Sequence, residues 1–335
     1  MRRLALNLVT GSATILLLAA LALPAKRVLD APAHSEGASW PSRAFGVYVD
    51  PWHLDEWAHD VGAAPQFVAK FEAFSKRRGI DEFLRESERQ GVSRVLVSWE
   101  PWRPVPTARG VIAQFRPQFG YRNADIATGW QDPYISGFAR SLARFNGIVY
   151  LRYAHEMNGT WYPWSHDPES YRRAWRRMVR LVRRAGADNV RFVWSVNPSL
   201  YLPTETWLGA LHRYWPGSRY VDAIGSTMIN FGGRKDYTVR RFAPRLRALH
   251  RAYPKPMMIT EANTEYADRL QWLLDFRGLL ARMPWIKSIA WSQLPSRGKA
   301  HLAGVGNLEW SVRRDPAAAA VLQRIIADGL RPRAR

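Results

Sequence analysis

Two glutamates carry the chemistry that this chain can offer. Glu156 lies in Arg152-Tyr153-Ala154-His155-Glu156-Met157-Asn158-Gly159-Thr160-Trp161-Tyr162-Pro163-Trp164, and Glu261 in Thr260-Glu261-Ala262-Asn263; each follows an apolar, β-branched run. A carboxylate that closes a buried strand is costly unless it has a partner or a task. Other apolar runs end in the same style, as Ser98-Trp99-Glu100-Pro101-Trp102, Trp194-Ser195-Val196-Asn197 and Trp291-Ser292. Brought around one opening, carboxylates, amides and indoles describe a sugar site. Trp faces stack on the C–H faces of pyranose rings, Asn, His and Arg bond hydroxyls, and two carboxylates can break a glycosidic bond.

Simpler readings compete at several of these positions. Any one Trp in a large domain is more often a packing residue than a ligand platform. Pro101 and Pro104 after Glu100 point to an exposed loop there. His155-Glu156 resembles the start of a zinc-protease helix, but the second His that such a site needs four residues on is Gly159, so that reading fails. His53 and His59, in a loop rich in Asp and Trp, fit either substrate contact or plain exposure.

To gather these residues the chain must bring its strand ends together. Apolar runs alternate with amphipathic stretches, the pattern of repeated βα units and a parallel sheet. Strands are expected at Ala44–Asp50, Val92–Trp99, Ile148–Tyr153, Val190–Ser195, Tyr220–Ser226, Pro256–Glu261 and Ile286–Trp291, with an eighth between the first two near Gly79–Leu84, where the pattern also fits a helix. Helical spacing marks Pro65–Arg77, Ile135–Phe145, Pro168–Ala185, Val239–His250, Ala267–Arg282 and Asp315–Asp328. Eight such units from residue 43 onward make an α/β fold of (β/α)8 barrel size, a single domain over 43–335. A doubly wound open sheet is the competitor. Its first turn is normally glycine-rich, and here that turn is Asp50-Pro51-Trp52-His53.

Composition narrows the setting. The 335 residues contain no Cys, which excludes disulfides, thiolate metal sites and cysteine nucleophiles. Forty-nine Lys and Arg against 28 Asp and Glu give a net charge of +21, a field that attracts polyanions without naming one. No RNA-recognition or helix-turn-helix signature accompanies it, so no nucleic-acid partner is expected. Arg2 and Arg3 precede an apolar stretch from Leu4 to about Ala25, so residues 1–27 read as a signal peptide or an uncleaved membrane anchor. Either places the rest of the chain outside the cytoplasm, in the periplasm or beyond, with membrane contact only through that segment. Residues 28–42 read as a polar linker.

The segment from Arg152 to Trp164 resembles the acid/base signature of glycoside hydrolase family 26, which is mostly endo-β-1,4-mannanases. The similarity extends to Gly129-Trp130-Gln131-Asp132-Pro133-Tyr134-Ile135 and to Lys255-Pro256-Met257-Met258-Ile259-Thr260-Glu261, and loosely to most of residues 43–330. The resemblance implies a (β/α)8 barrel in which Glu156, ending the fourth strand, is the acid/base and Glu261, ending the seventh, is the nucleophile of a retaining endo-β-glycosidase, with no cofactor. Glu156 would protonate the leaving oxygen while Glu261 attacks the anomeric carbon, and water would then release the glycosyl-enzyme. His155 and Asn158 would orient Glu156 or bond the sugar, Arg152 would lower the pKa of a nearby carboxylate, and Trp161, Trp164 and Trp291 would be stacking surfaces. One departure lies on the sixth strand, where the family has a Tyr that bonds the nucleophile and this chain has Ile229. Glu261 then needs another donor, for which Asn230, Asn197 and Arg152 are candidates. After the nucleophile, Ala262-Asn263 replaces the usual Phe-Gly. β-Mannan is the first expected substrate, with mixed-linkage β-glucan, β-1,3-xylan and exopolysaccharide open. A second function class is a catalytically weak polysaccharide-binding protein of an exopolysaccharide system. A monomer is expected.

Overall fold

Parallel strands buried on both faces and followed by amphipathic helices can form an open doubly wound sheet or a closed barrel, and this chain closes. A computed structural model describes residues 43–76, 80–107, 110–112, 118–231, 237–264, 269–292, 312 and 315–330. The expected leader and linker at 1–42 lie outside the described residues. In chain order the elements are β1 (Ala44–Tyr48), α1 (Leu54–Val61), β2 (Phe67–Ala73), α2 (Ile80–Arg89), β3 (Arg94–Glu100), β4 (Val105–Thr107), β5 (Gly110–Ile112), α3 (Asn123–Thr128) and α4 (Asp132–Ala143). Then come β6 (Ile148–Tyr153), α5 (Pro168–Arg184), β7 (Val190–Val196), α6 (Thr204–Tyr214), β8 (Ala223–Asn230), α7 (Val239–Ala252), β9 (Met257–Thr264), α8 (Arg269–Arg282), β10 (Ile286–Trp291) and α9 (Pro316–Leu330). Eight parallel strands form a closed barrel in the order β1-β10-β9-β8-β7-β6-β3-β2, and β4 and β5 form a separate antiparallel pair. The (β/α)8 barrel stands, and the open sheet is excluded by closure. Among the described residues no helix is long and apolar enough to cross a membrane.

The second barrel strand is the main correction. It is Phe67–Ala73, inside the stretch expected to be helical at Pro65–Arg77, while most of Gly79–Leu84 falls in α2. Phe67, Phe71 and Phe74 imitate a helical stripe. Phe67, Ala69 and Phe71 in fact project into the barrel, and Lys70 and Glu72 project outward, where they pair with each other at 3.0 Å. This ion pair is what lets two charges lie under the helical layer. His53 and His59 lie on a 3-10 turn and on α1 rather than in a loop, and both are exposed.

Period-two alternation divides the apolar residues into two layers. Ala44, Tyr48, Phe67, Ala69, Leu96, Tyr150, Val193, Ala223, Met258 and Ala290 fill the barrel, and a larger cluster packs between barrel and helices. The filling leaves no space at Gly225, where a Cβ would stand 2.7 Å from the Cβ of Ser195. The longest helix is well delimited: Pro168 opens α5, Asp167 accepts the Ser170 N–H at 3.0 Å, and Arg183 and Arg184 lie in its last turn.

Candidate active site

The mouth is defined by the C-terminal ends of the barrel strands, and two backbone devices place the glutamates there. On β9 the register moves from Ser226↔Ile259 to Thr227↔Glu261 against β8, and from Ile289↔Ile259 to Trp291↔Ala262 against β10. Both neighbours therefore count one extra residue on β9 between Ile259 and Ala262. Ile259 and Ala262 pack outward in the helical layer, so the bulge turns both Thr260 and Glu261 toward the interior. The strand does not end at Glu261, as expected, but continues to Thr264. After β6, the fourth barrel strand, the chain takes left-handed backbone at two residues with a Cβ, Ala154 (φ 43°) and Glu156 (φ 52°). Such conformations carry strain and persist where surrounding structure imposes them; here the Glu156 N–H is held by the Ser195 carbonyl at 2.9 Å.

Arg152 lies at the centre of the site and is 0% exposed. Its Nη1 donates to Glu261 Oε1 at 2.8 Å and to Ser98 Oγ at 3.1 Å, and its Nη2 donates to Thr227 Oγ1 at 3.4 Å. Burial works against its charge, but Glu261, Tyr48 and Glu156 more than offset this and raise its pKa. Below it, Tyr48 Oη meets Ser98 Oγ at 3.0 Å and donates to the Thr260 carbonyl at 3.1 Å. Of the three donors considered for Glu261, Arg152 reaches it, at 2.8 Å. Asn197 Nδ2 bonds Glu156 Oε1 instead, at 3.2 Å, and the Asn230 side-chain carbonyl accepts the Tyr237 N–H at 3.2 Å.

The surroundings treat Glu156 differently. Burial raises its pKa and the nearby Glu261 adds to the rise, against the opposing pull of Arg152, Thr227 and Asn197. Asn158 acts at one remove: its amide exchanges two hydrogen bonds with the Asn197 backbone, Nδ2 to the carbonyl at 2.8 Å and N–H to Oδ1 at 2.9 Å, and so fixes the residue that bonds Glu156. His155 is buried, with Nε2 2.9 Å from Tyr162 Oη.

Glu100 departs from the exposed loop expected for it. It is the last residue of β3, buried, with Oε2 accepting the Trp102 indole N–H at 3.0 Å. Burial pushes its pKa up to about 7, with Trp102 and Arg152 opposing and Glu261 assisting. The mouth thus holds a third carboxyl.

The tryptophans divide. Trp161 is half-buried and lies against Gly159, where a Cβ would come 2.6 Å from the indole. Trp164 is 1% exposed; its N–H donates to the His155 carbonyl at 2.8 Å and its ring stacks on Tyr162 at 4.3 Å, so it is a wall behind His155. Trp291 is fully buried in the cluster outside the barrel, whereas its neighbour Ala290 faces the interior. Neither offers a free ring face to the mouth. Asn197, expected as a donor to Glu261, serves Glu156 instead, while Thr227, Tyr48 and Tyr162, which touch Glu156, Arg152 and His155 respectively, were not among the site residues expected. Asn197 follows β7 directly and Thr227 follows the strand expected at Tyr220–Ser226, the strand-end position that had singled out the others.

Among the described residues no cluster of His, Asp or Glu is arranged to hold a metal ion.

A closed (β/α)8 barrel with one glutamate just after its fourth strand and another on its seventh, both at the mouth, fits a glycoside hydrolase of the barrel class. Residues 134–266, which contain both glutamates, match the family model of glycosyl hydrolase family 26, as the signature implied. In sequence the chain is similar to Endoglucanase H of Acetivibrio thermocellus, 31% identical over 147 residues, which cover 42% of this chain and 14% of that one. It is also similar to a beta-1,3-xylanase of Alcaligenes sp, 28% identical over 149 residues covering 43% and 30% of the two chains. The match thus spans less than a third of either relative. In structure it is similar to the family 26 β-mannanase of Bacteroides ovatus, with TM-score 0.62, 17% identity, and coverage of 86% of this chain and 89% of that one. At that identity the likeness concerns the fold.

Proposed function

We propose that this protein is a retaining β-glycosidase that hydrolyses a β-linked polysaccharide outside the cytoplasm, with Glu261 as nucleophile and Glu156 as acid/base. The observation that carries the reading is the unequal setting of the two glutamates. Glu261 lies 2.8 Å from a buried guanidinium, the partner that suits a charged nucleophile, while burial and the charge of Glu261 favour the proton on Glu156. Glu261 attacks the anomeric carbon as Glu156 gives its proton to the leaving oxygen. In the second half, Glu156 takes a proton from water, and the water oxygen displaces Glu261. Asn197 and Thr227 hold the Glu156 carboxyl, and Trp161 offers a stacking face.

The substrate moves from the expected β-mannan toward a β-glucan or β-xylan. The relatives similar in sequence, at 31% and 28% identity over part of the chain, are named endoglucanase and beta-1,3-xylanase, whereas the mannanase shares the fold at low identity. Ile229 in place of the family's Tyr points the same way. The binding-only alternative gives no account of a buried Arg152–Glu261 pair and left-handed backbone at Glu156, both costs without a use in a protein that merely holds sugar. The test is product analysis on mixed-linkage β-glucan, β-1,3-xylan, galactomannan and cellulose. Oligosaccharides from the glucan or xylan, absent with Glu261→Ala, support the proposal; no release from any of them contradicts it.

A further inference from the structure

Four aromatic side chains among the described residues are large and well exposed: Trp52, Phe119, Trp130 and Tyr201. Each lies in a segment that leaves the C-terminal end of a barrel strand, so all four stand on the mouth side of the molecule. Two of them form a pair. Phe119 and Trp130, 68% and 62% exposed, have ring centroids 5.1 Å apart in an edge-to-face arrangement.

This pair is held rigidly despite its exposure. Arg122 places its guanidinium 5.3 Å from the Phe119 ring and is clamped to Asp125 by bonds of 2.8 and 2.6 Å. Asp125 also accepts the Gly120 N–H at 2.8 Å, and the Gln131 amide donates to the Gly120 carbonyl at 2.6 Å. The Trp130 indole rests on Gly120, where a Cβ would come 3.1 Å from Nε1. The same segment is tied to the mouth, since Asn123 Nδ2 donates to the Trp164 carbonyl at 2.8 Å and Trp164 in turn bonds His155, next to Glu156. Two large apolar rings fixed in water, in fixed register with the acid/base, are a preorganised surface rather than leftover core.

We propose that Phe119 and Trp130 form a platform that binds glycosyl units of the polymer remote from the bond being cut. Sugar C–H faces suit exposed aromatic rings, and the platform's continuity with the mouth selects the substrate chain itself as occupant. Pairing with Asp125 neutralises Arg122, so the occupant is an uncharged stretch of sugar rather than an acidic group. The identity of the ligand rests on the glycosidase reading; the platform itself does not.

The test uses the full chain in native gels containing mixed-linkage β-glucan, β-1,3-xylan or galactomannan, with wild type, Trp130→Ala, Phe119→Ala and Trp130→Tyr compared. Wild type is expected to be retarded by at least one polymer, each Ala variant to bind about fivefold to tenfold more weakly, and Trp130→Tyr to keep most of the retention, at low and high salt alike. Equal retardation of wild type and both Ala variants, no retardation of wild type, or retardation abolished by salt overturns the platform. A kinetic arm separates it from the active site: the ratio of kcat/KM on polymer to that on a short aryl glycoside falls about fivefold in Trp130→Ala. Hydrolysis with an unchanged ratio overturns the platform alone. Retention lost in Trp130→Ala without any hydrolysis by wild type leaves the platform standing and removes the glycosidase reading.

Discussion

Replacing Arg152 by Met keeps the volume of the side chain and removes the charge beneath the two glutamates. Arg152 is wholly buried and is bound to Glu261 at 2.8 Å, so the substitution leaves a buried carboxylate without its counter-ion. Losing one partner of such a pair costs about 3–5 kcal/mol. The pH dependence carries a definite sign. Burial and Glu261 already raise the pKa of Glu156 and Arg152 opposes them, so removing Arg152 raises it further. A carboxyl whose folded pKa exceeds its unfolded value contributes stability that is complete below the unfolded value and is lost as pH rises through the folded one. The deficit of Arg152→Met should therefore be smallest near pH 4.5 and approach the full value near pH 8. Urea unfolding followed by fluorescence, at both pH values, measures it, and the 16 Trp provide ample signal. Arg152→Lys should recover part of the loss by restoring charge without the planar fork. A deficit under about 1 kcal/mol at pH 8, or one that does not change with pH, would refute the reasoning.

Glu100→Gln keeps an acceptor for the Trp102 N–H and removes a carboxyl whose pKa stands at about 7 against a usual 4.5, so the variant should match wild type near pH 4 and exceed it by about 3 kcal/mol at pH 8; a less stable variant at pH 8 contradicts this. Trp161→Ala should reduce kcat/KM about tenfold while thermal unfolding stays cooperative, and loss of the cooperative transition would make Trp161 a packing residue. Glu156→Ala should slow substrates with poor leaving groups far more than activated aryl glycosides, and equal slowing on both would remove the acid role. Gly225→Ala places a methyl 2.7 Å from Ser195 Cβ and 2.8 Å from Thr260 Cγ2, and should cost about 1–3 kcal/mol in urea unfolding; an unchanged midpoint contradicts the packing of the barrel interior.

How far the sequence could be read depended on which residues face two ways. Ile148–Tyr153 and Ile286–Trp291 are legible to the residue because each opens on an Ile that follows a Gly or Pro turn, closes on an aromatic residue and is too short for a helix. Phe67–Ala73 is not, because Phe67, Phe71 and Phe74 fall at helical spacing while its outward Lys70 and Glu72, paired with each other, break the apolar run of a buried strand. The glutamates are legible because a carboxylate at the end of a buried strand has few cheap explanations. The inward turn of Glu261 is not, since it depends on a bulge that only strand pairing reveals. For the same reason alternation hid the fate of Trp291, which lies one position from Ala290 and so faces the helices instead of the mouth. Glu100 was obscured by the prolines after it, which end the strand without exposing its last side chain.

Trapping with an activated 2-deoxy-2-fluoro-β-glycoside, matched to whichever glycan the protein cleaves, tests the assignment of the two glutamates most directly. The fluorine slows breakdown of the glycosyl-enzyme, so intact mass should rise by one glycosyl unit and peptide mapping should place it on Glu261. A label on any other residue, or no label together with products of inverted anomeric configuration, would contradict double displacement through Glu261.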